Sequence, residues 1–310
     1  HVAASSSGDT IWVAAGTYTG AGNKNINVTV NLVIFGEQGP ELTVLDAQGS
    51  GTILTINNGS TIISTIVSGF TFRGANTTAM VVTNSSPLIT WCIFADNSGG
   101  TGGGFFGNGF GGAITGCTFT GNTAVASGGF TGDGGAIHLA NSNSLISDVI
   151  VRGNTAGDDG GGIYLRGGNN VVSGCLVAGN TALDGGGIGH GGVATSSIFQ
   201  CTVASTTAPL EARRINVDEA ASSVSVICSG LDVTATGTGV TNVIDNVTVD
   251  PVLCQALACG KSTGGNYTLT ANSPVRNPNN CGDFMGYTDA NCSLVAVAPT
   301  TWGRIKAGNR

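Results

Sequence analysis

The sequence predicts an all-β fold, a right-handed parallel β-helix in which short strands stack coil upon coil. Three observations predict it: a repeat of about 22–32 residues, Asn and Cys at fixed positions in that repeat, and Gly in clusters. Of 310 residues, 52 are Gly and 9% are charged, yet 41% are hydrophobic. This composition argues against disorder and against collagen. A repeat this short cannot bury its own apolar face, whereas stacked repeats can.

The central element of the repeat is a strand motif such as Ile-Thr-Gly-Cys-Thr-Phe. Its copies occupy residues 67–72, 89–94, 114–119, 146–151, 172–177 and 198–203. The fourth residues of these copies lie 22, 25, 32, 26 and 26 positions apart, which is too short for the blades of a β-propeller. Because side chains alternate along a strand, we interpret the fourth and sixth residues as pointing inward and the fifth as pointing outward.

Fixed Asn and Cys positions predict ladders that run along the solenoid. Each Asn is expected to tolerate the left-handed backbone of a corner and to hydrogen-bond the equivalent Asn one coil away. The repeat cysteines are expected to be buried thiols that act as small hydrophobic side chains. Gly pairs at Gly111, Gly134, Gly160 and Gly185 are interpreted as equivalent tight corners. The predicted ladder residues are Asn97, Asn122, Asn154, Asn180, Cys92, Cys117, Cys175 and Cys201.

Two motifs carry a resemblance to known families. Gly-Gly-Ala-Ile at 111–114 and 134–137, together with Phe-x-x-Asn at 94–97 and 119–122, resembles the paired repeat of chlamydial polymorphic membrane proteins and related bacterial β-helix adhesins. Residues 8–18 resemble the first coil of pectate-lyase-like β-helix proteins. In the latter family an amphipathic helix usually caps that coil. The resemblance therefore implies a β-helix over residues 1–250 and, with only a short segment before residue 8, an exposed N-terminal strand edge.

After residue 250 the pattern changes. Residues 251–298 resemble the closing segment of bacterial β-helix proteins, which ends in a Cys-containing loop. Their cysteines are even in number and predict two disulfides, with 254–259 and 281–292 favoured among three possible pairings. Residues 299–310 are interpreted as an extended tail that resembles the Trp-Gly-x-Ile-Lys endings of exported proteins, with Trp302 and Ile305 as assembly residues. The predicted cap cysteines are Cys254, Cys259, Cys281 and Cys292.

Charge and hydropathy limit the partners. The net charge is −7 and Lys and Arg do not cluster, which argues against nucleic acid and anionic membranes. No apolar run reaches the ~18 residues of a transmembrane helix. The chain begins at His1 rather than Met, which fits removal of a secretory signal. Disulfides form in oxidising compartments, so the predicted disulfides and the removed signal together predict an extracellular or cell-surface location.

The strongest candidate for chemistry is an acidic row placed just before the Gly pairs. Its spacing predicts that the row follows one edge of successive coils, where carboxylates could hold Ca²⁺ or serve as an acid/base pair on a glycosidic bond. His138, Tyr164, Arg166 and His190 lie close in sequence and are expected to contact a uronic acid or a sugar ring. Ordinary Asp-Gly turn chemistry, copied by the repeat, is the alternative interpretation. No other cofactor is predicted. The row consists of Asp133, Asp158, Asp159 and Asp184.

Two hypotheses about function follow. The first is a non-enzymatic extracellular structural protein, a self-assembling filament subunit or surface adhesin, whose partners are other copies stacked head to tail or cell-surface glycans. Three features support this hypothesis: the exposed N-terminal edge, the tail, and the absence from the sequence of the catalytic residue patterns of polygalacturonases and pectate lyases. The alternative is a polysaccharide lyase or hydrolase, or a glycan-binding β-helix, that uses Asp133, Asp159 and Asp184. The orientation of this row, toward a groove or into turns, would discriminate between them.

Overall fold

A computed structural model describes residues 2–126, 128–129, 131–204, 215–217, 223–227, 230–231, 236–237 and 240–244. Over these residues the chain is a parallel β-solenoid of about seven turns with almost no helix. Two short 3₁₀ helices span Val2–Ala4 and Ala21–Asn23. The predicted cap cysteines and the tail residues Trp302 and Ile305 lie outside the described residues.

Each coil contributes short strands, most of them two to four residues long, and in many of them buried and more exposed side chains alternate. The strands of the first four coils are β1 (Thr10–Val13), β2 (Gly16–Tyr18), β3 (Ile26–Val28), β4 (Val33–Gly36), β5 (Thr43–Asp46), β6 (Leu54–Ile56), β7 (Ile66–Ser68), β8 (Thr71–Arg73), β9 (Met80–Thr83), β10 (Leu88–Thr90), β11 (Ile93–Ala95), β12 (Ser98–Gly99) and β13 (Phe105–Asn108). The strands of the next three coils are β14 (Ala113–Thr115), β15 (Thr118–Thr120), β16 (Thr123–Ala124), β17 (Ile137–Ala140), β18 (Leu145–Ser147), β19 (Ile150–Arg152), β20 (Thr155–Ala156), β21 (Ile163–Gly168), β22 (Val171–Ser173), β23 (Leu176–Ala178) and β24 (Ile188–Phe199). The remaining strands are β25 (Thr202–Ala204), β26 (Ile215–Val217), β27 (Ser223–Ile227), β28 (Gly230–Leu231), β29 (Thr236–Gly237) and β30 (Val240–Ile244).

The strands form three faces, and each described pairing between them is parallel. Face A contains β1, β4, β7, β10, β14, β18, β22, the second half of β24, β27 and β30. Face B contains β2, β5, β8, β11, β15, β19, β23, β25 and β28. Face C contains β3, β6, β9, β13, β17, β21, the first half of β24, β26 and β29. A narrow sheet of β12, β16 and β20 lies between faces B and C along the chain.

The predicted central strand is in fact two strands that meet at a corner. In the copy at 89–94, β10 on face A ends at Thr90 and β11 on face B begins at Ile93. Trp91 between them has a left-handed φ of 49°, and the equivalent Asp148 has a φ of 55°. A single left-handed residue turns the chain from one face to the next. The interpretation as one continuous strand was therefore wrong, although its fourth and sixth residues are buried in the core as expected.

Two further expectations about corners need correction. The left-handed residue at the second corner is not the ladder Asn but the residue before it, for example Gly121 with a φ of 65°. The Gly pair at Gly111 precedes face A, whereas the pair at Gly134 precedes face C, so the two are not equivalent. The matching copy for face C is 102–105, because Phe105 pairs with Ile137. Phe in place of Ile hid this copy in the sequence.

The core is built from side chains that stack in register between coils. Along face B, the Phe94 ring lies 5.0 Å from Phe72 and 4.5 Å from Phe119, measured between centroids, and is almost parallel to the latter. Val151 continues this ladder in the next coil. Stacked rings of this kind contribute about 0.5–1.5 kcal/mol per pair beyond the area they bury. Leu176, predicted to point outward, is buried in a separate small cluster outside the main core.

Candidate functional site

The predicted Asn positions form a continuous chain of buried amides. Asn97 Nδ2 donates to Phe72 O at 3.0 Å and to Asn122 Oδ1 at 2.9 Å. Asn122 Nδ2 donates to Phe94 O at 3.0 Å and to Asn154 Oδ1 at 2.9 Å, and Asn154 Nδ2 repeats the contact with Asn180. Each amide thereby ties its coil to the coil on either side. All four side chains are buried, so this row holds the stack together and offers no contact surface.

The repeat cysteines are buried thiols, and no disulfide joins them. The Cys92 thiol donates to Thr90 O and the Cys117 thiol donates to Thr115 O. Burial raises the pKa of the Cys117 thiol, and the neighbouring Cys92 raises it further. Burial likewise raises the pKa of the Cys175 thiol. Because the thiolate is the reactive form, these cysteines are poor nucleophiles and act as core side chains.

Part of the predicted acidic row converges. One carboxylate oxygen from each of Asp133, Asp158 and Asp159 lies within 4.8 Å of the others. Asp184 forms a parallel β-bridge with Asp159 of the preceding coil but does not belong to this group. The Asp133 carboxylate is buried and accepts hydrogen bonds from the Thr131 hydroxyl and from the backbone N–H of Asp159. Burial raises the pKa of Asp133, although these two hydrogen bonds oppose the shift.

The backbone of this row forms turns between coils. Gly134 N–H donates to Asp159 O at 2.8 Å, and Gly160 N–H donates to Asp184 O at 3.0 Å. The first Gly of each pair has a left-handed φ, 68° at Gly134 and 65° at Gly160. The row therefore has the backbone role expected of Asp-Gly turns, and three of its carboxylates also gather at one point.

The neighbouring aromatic residues form a stack that is mostly buried. On the outer side of face C, His138 lies 5.4 Å from Phe106 and 5.1 Å from Tyr164, measured between ring centroids. Only 3% of His138 and 7% of Tyr164 is exposed. Burial lowers the pKa of His138 to about 4, so the ring is neutral at pH 7. Arg166 is exposed, whereas the buried rings leave little surface for stacking on a sugar.

His190 does not lie on the outer surface as expected. It pairs in register with Leu165, two residues after the core residue Ile188, and therefore points inward. Its Nε2 atom lies 3.0 Å from Ser196 Oγ. Burial lowers the pKa of His190 to about 4. The buried His190 side chain therefore offers little surface to a uronic acid. The alternation from Ile188 to His190 was the signal that could have shown its inward orientation.

The N-terminal end of the solenoid is the other candidate site. Among the described residues, β1, β2 and β3 each pair with a strand on one side only. The Asp9 and Val13 carbonyls accept hydrogen bonds from the next coil. Because alternate residues direct their backbone groups to opposite edges, the N–H and C=O groups of Thr10 and Trp12 face the other edge.

An apolar cavity opens at this end. Its volume is about 460 Å³, and its lining includes Ile11, Val13, Ile34 and Phe72, with Lys24 among the polar residues. A second cleft of about 600 Å³ runs along β1 and is also lined by Ala4, Ser5 and Tyr18. The cavity behind β1 was not predicted from the sequence. Strand alternation in β1 was the available signal, because Ile11 and Val13 share one face.

Exposed apolar side chains concentrate at the same end. The four most exposed large hydrophobic side chains among the described residues all belong to the first two coils. They are Trp12 at 53%, Leu42 at 53%, Ile62 at 71% and Ile63 at 53%. Trp12 also contacts Phe35 one coil along, with ring centroids 5.1 Å apart.

Comparisons with known proteins do not extend the assignment. A scan against family models found no match to this chain. Searches of curated proteins and of solved structures also found no match. The resemblance to chlamydial and pectate-lyase-like proteins therefore rests on the sequence motifs alone, whereas the parallel solenoid rests on strand pairing. No helix within the described part of the chain is long and apolar enough to cross a membrane.

Proposed function

We propose that this chain is a non-enzymatic extracellular structural protein whose solenoids associate head to tail, as a filament subunit or a surface adhesin. The observation that carries the proposal is the open first coil, where β1–β3 have an edge without a strand partner among the described residues and an apolar cavity of about 460 Å³ lies behind it. Proteins normally cover such edges or use them to bind another strand. A head-to-tail contact that does not close into a ring builds a filament.

The proposal includes finer features of the fold. We take the solenoid as right-handed and pectate-lyase-like, because crossovers between parallel strands of one sheet are right-handed in nearly all proteins. We also take residues 251–298 as a cap with two disulfides. A rigid solenoid with a disulfide-linked cap at residues 251–298 and a strand edge at β1–β3 suits association along its axis.

Sedimentation velocity and electron microscopy of the full chain over a concentration series test this proposal. The purified protein is first shown by mass spectrometry to begin at His1. We expect linear assemblies that grow with concentration. Trp12→Ser should weaken association at least tenfold, because Trp12 is the exposed aromatic residue on the open strand. Leu145→Ser is the matched control, since Leu145 is also an exposed apolar residue of face A but lies five coils away.

The result is decisive in either direction. Wild-type protein that remains monomeric at the highest concentration would overturn the filament form. Equal loss of association in Trp12→Ser and Leu145→Ser would overturn the role of the first coil. Glycan arrays test the adhesin form with the same variants.

A thiol count tests the extracellular assignment. The chain has nine cysteines, and two disulfides leave five thiols to react with Ellman's reagent in guanidinium. Nine reactive thiols in protein purified from its natural compartment would contradict the proposed cap and the oxidising compartment.

The second candidate is a polysaccharide lyase, hydrolase or glycan binder that uses the acidic row. The observation in its favour is the group of carboxylates of Asp133, Asp158 and Asp159. Replacement of Asp159 and Asp184 by Asn, with Asp148→Asn as the control on another corner, tests it in assays of polysaccharide turnover and binding. Loss of either activity in the double variant alone would favour this candidate. Unchanged behaviour, or no activity in the wild type, would remove it.

A further inference from the structure

The cavity behind β1 has the size and the lining of a small-molecule site. Its volume is about 460 Å³, and such sites have volumes of about 300–1,000 Å³. Most of its lining consists of apolar side chains from successive coils, and apolar cavities hold water poorly but bind apolar molecules. The apolar side chains of the lining include Ile11, Val13, Ile34, Leu45, Leu54, Val67, Phe70 and Phe72.

Among the described residues, the lining contains one charged side chain, Lys24, and no carboxylate. Lys24 is partly buried, and its ammonium group donates to Ala47 O at 3.3 Å and to the Ser50 hydroxyl, which are both uncharged acceptors. An ammonium group has three N–H donors, so one remains for a ligand. Within the described part of the chain, Arg73 and Asp46 form an ion pair, whereas Lys24 has no carboxylate partner.

A ligand that matches this lining has an apolar body and one anionic group. A partly buried charge without a counter-ion is costly, and a hydrogen bond between two charged groups is about twice as strong as one between neutral groups. A carboxylate carries one charge and suits the one remaining N–H of Lys24, whereas a phosphate has more charge and more acceptors than this lining satisfies. A sugar would leave most of its hydroxyl groups without partners against side chains such as Ile34 and Phe72.

We propose that this cavity binds an aliphatic monocarboxylate. The hydrocarbon chain lies among the inward side chains of the first three coils, for example Ile11, Ile34 and Val67, and the carboxylate accepts a hydrogen bond from Lys24. This inference goes beyond head-to-tail association and does not depend on it.

Isothermal titration calorimetry with decanoate tests the proposal on the full chain, at a protein concentration at which sedimentation velocity shows only monomers. Decanoate should bind at least tenfold more tightly than 1-decanol, which has the same hydrocarbon chain and no charge. Acetate, which has the charge without the chain, should give no measurable binding. From hexanoate to decanoate, each added methylene should strengthen binding by about fourfold, because it buries more apolar surface.

Variants of the lining test where the ligand lies. Lys24→Gln should weaken decanoate binding at least tenfold and leave 1-decanol binding unchanged, whereas Lys24→Arg should retain most of the affinity for decanoate. Arg166→Gln is the matched control, because Arg166 is an exposed cation of face C that does not line the cavity. Val13→Phe and Ile11→Phe should each abolish the binding of both ligands, since these partly buried side chains line the cavity and a larger ring fills it. Thermal melts identify which of the two variants is folded.

The outcomes separate the ligand, its charge and its place. Absence of decanoate binding at millimolar concentration would overturn the proposal. Equal affinity for decanoate and 1-decanol, or equal loss in Lys24→Gln and Arg166→Gln, would overturn the role of Lys24. Decanoate binding that persists in a folded Val13→Phe or Ile11→Phe variant would overturn the assignment to this cavity. Each of these results leaves the head-to-tail proposal standing, because that proposal is tested by the concentration series.

Discussion

Removal of one amide from the middle of the Asn ladder should destabilise the solenoid strongly. Asn122→Ala breaks four hydrogen bonds: two that Asn122 Nδ2 donates to Phe94 O and Asn154 Oδ1, and two that its Oδ1 accepts from Asn97. A buried hydrogen bond contributes about 1 kcal/mol net, so the expected loss is about 3–4 kcal/mol. That loss would be a large fraction of the total stability of an ordinary domain.

Urea unfolding followed by circular dichroism measures this loss. Asn76→Ala is the matched control, because Asn76 is exposed and accepts a single hydrogen bond, from Gly51 N–H. We expect the control to lose less than about 1 kcal/mol. Equal unfolding midpoints for Asn122→Ala and Asn76→Ala would refute the reasoning that the ladder stabilises the stack.

Three further predictions concern the core, the histidines and the corners. Phe94→Ala should lower the free energy of unfolding by about 3–5 kcal/mol, because it leaves a cavity in the ring stack. Phe94→Leu should lower it by less, and equal decreases in melting temperature for the two variants would contradict this. The pKa of His138 and of His190 is lowered to about 4, so only the unfolded chain takes up their protons as the pH falls from 6.5 to 4. Stability should fall in that window by up to about 1.4 kcal/mol per pH unit for each histidine, and His190→Gln should reduce the slope measured by urea titration. Gly103→Ala should abolish folding or cost several kcal/mol, because the added Cβ would lie 2.6 Å from two backbone carbonyl oxygens. Gly22→Ala is the control, since a Cβ at Gly22 would enter open space. Similar melting temperatures for the two variants would contradict this packing.

The repeat made the core predictable from the sequence. Phe94 and Cys117 were placed correctly in the interior because each recurs at the same position in several coils, and a solenoid places equivalent positions one above another. The corners were less accessible. Trp91 adopts a left-handed backbone that its residue type does not indicate, because L residues other than Gly, Asn and Asp seldom do so.

The candidate sites depend on information that the repeat does not carry. The acidic row was visible from its spacing, but spacing does not reveal that Asp133, Asp158 and Asp159 converge while Asp184 does not. The cavity at the first described coil is lined by inward residues of successive coils, such as Ile11, Ile34 and Phe72. The spacing of a repeat shows which residues point inward but not where they leave a space between them.

Hydrogen–deuterium exchange at β1 tests the central claim most directly. The backbone N–H groups on the edge of β1 that faces away from β4, such as that of Thr10, should be buried by head-to-tail association. We expect their exchange to slow at least tenfold as the full chain is concentrated, while exchange in β14 (Ala113–Thr115), which is paired on both sides, stays constant. Assemblies that form while β1 exchanges at an unchanged rate would contradict association through the first coil.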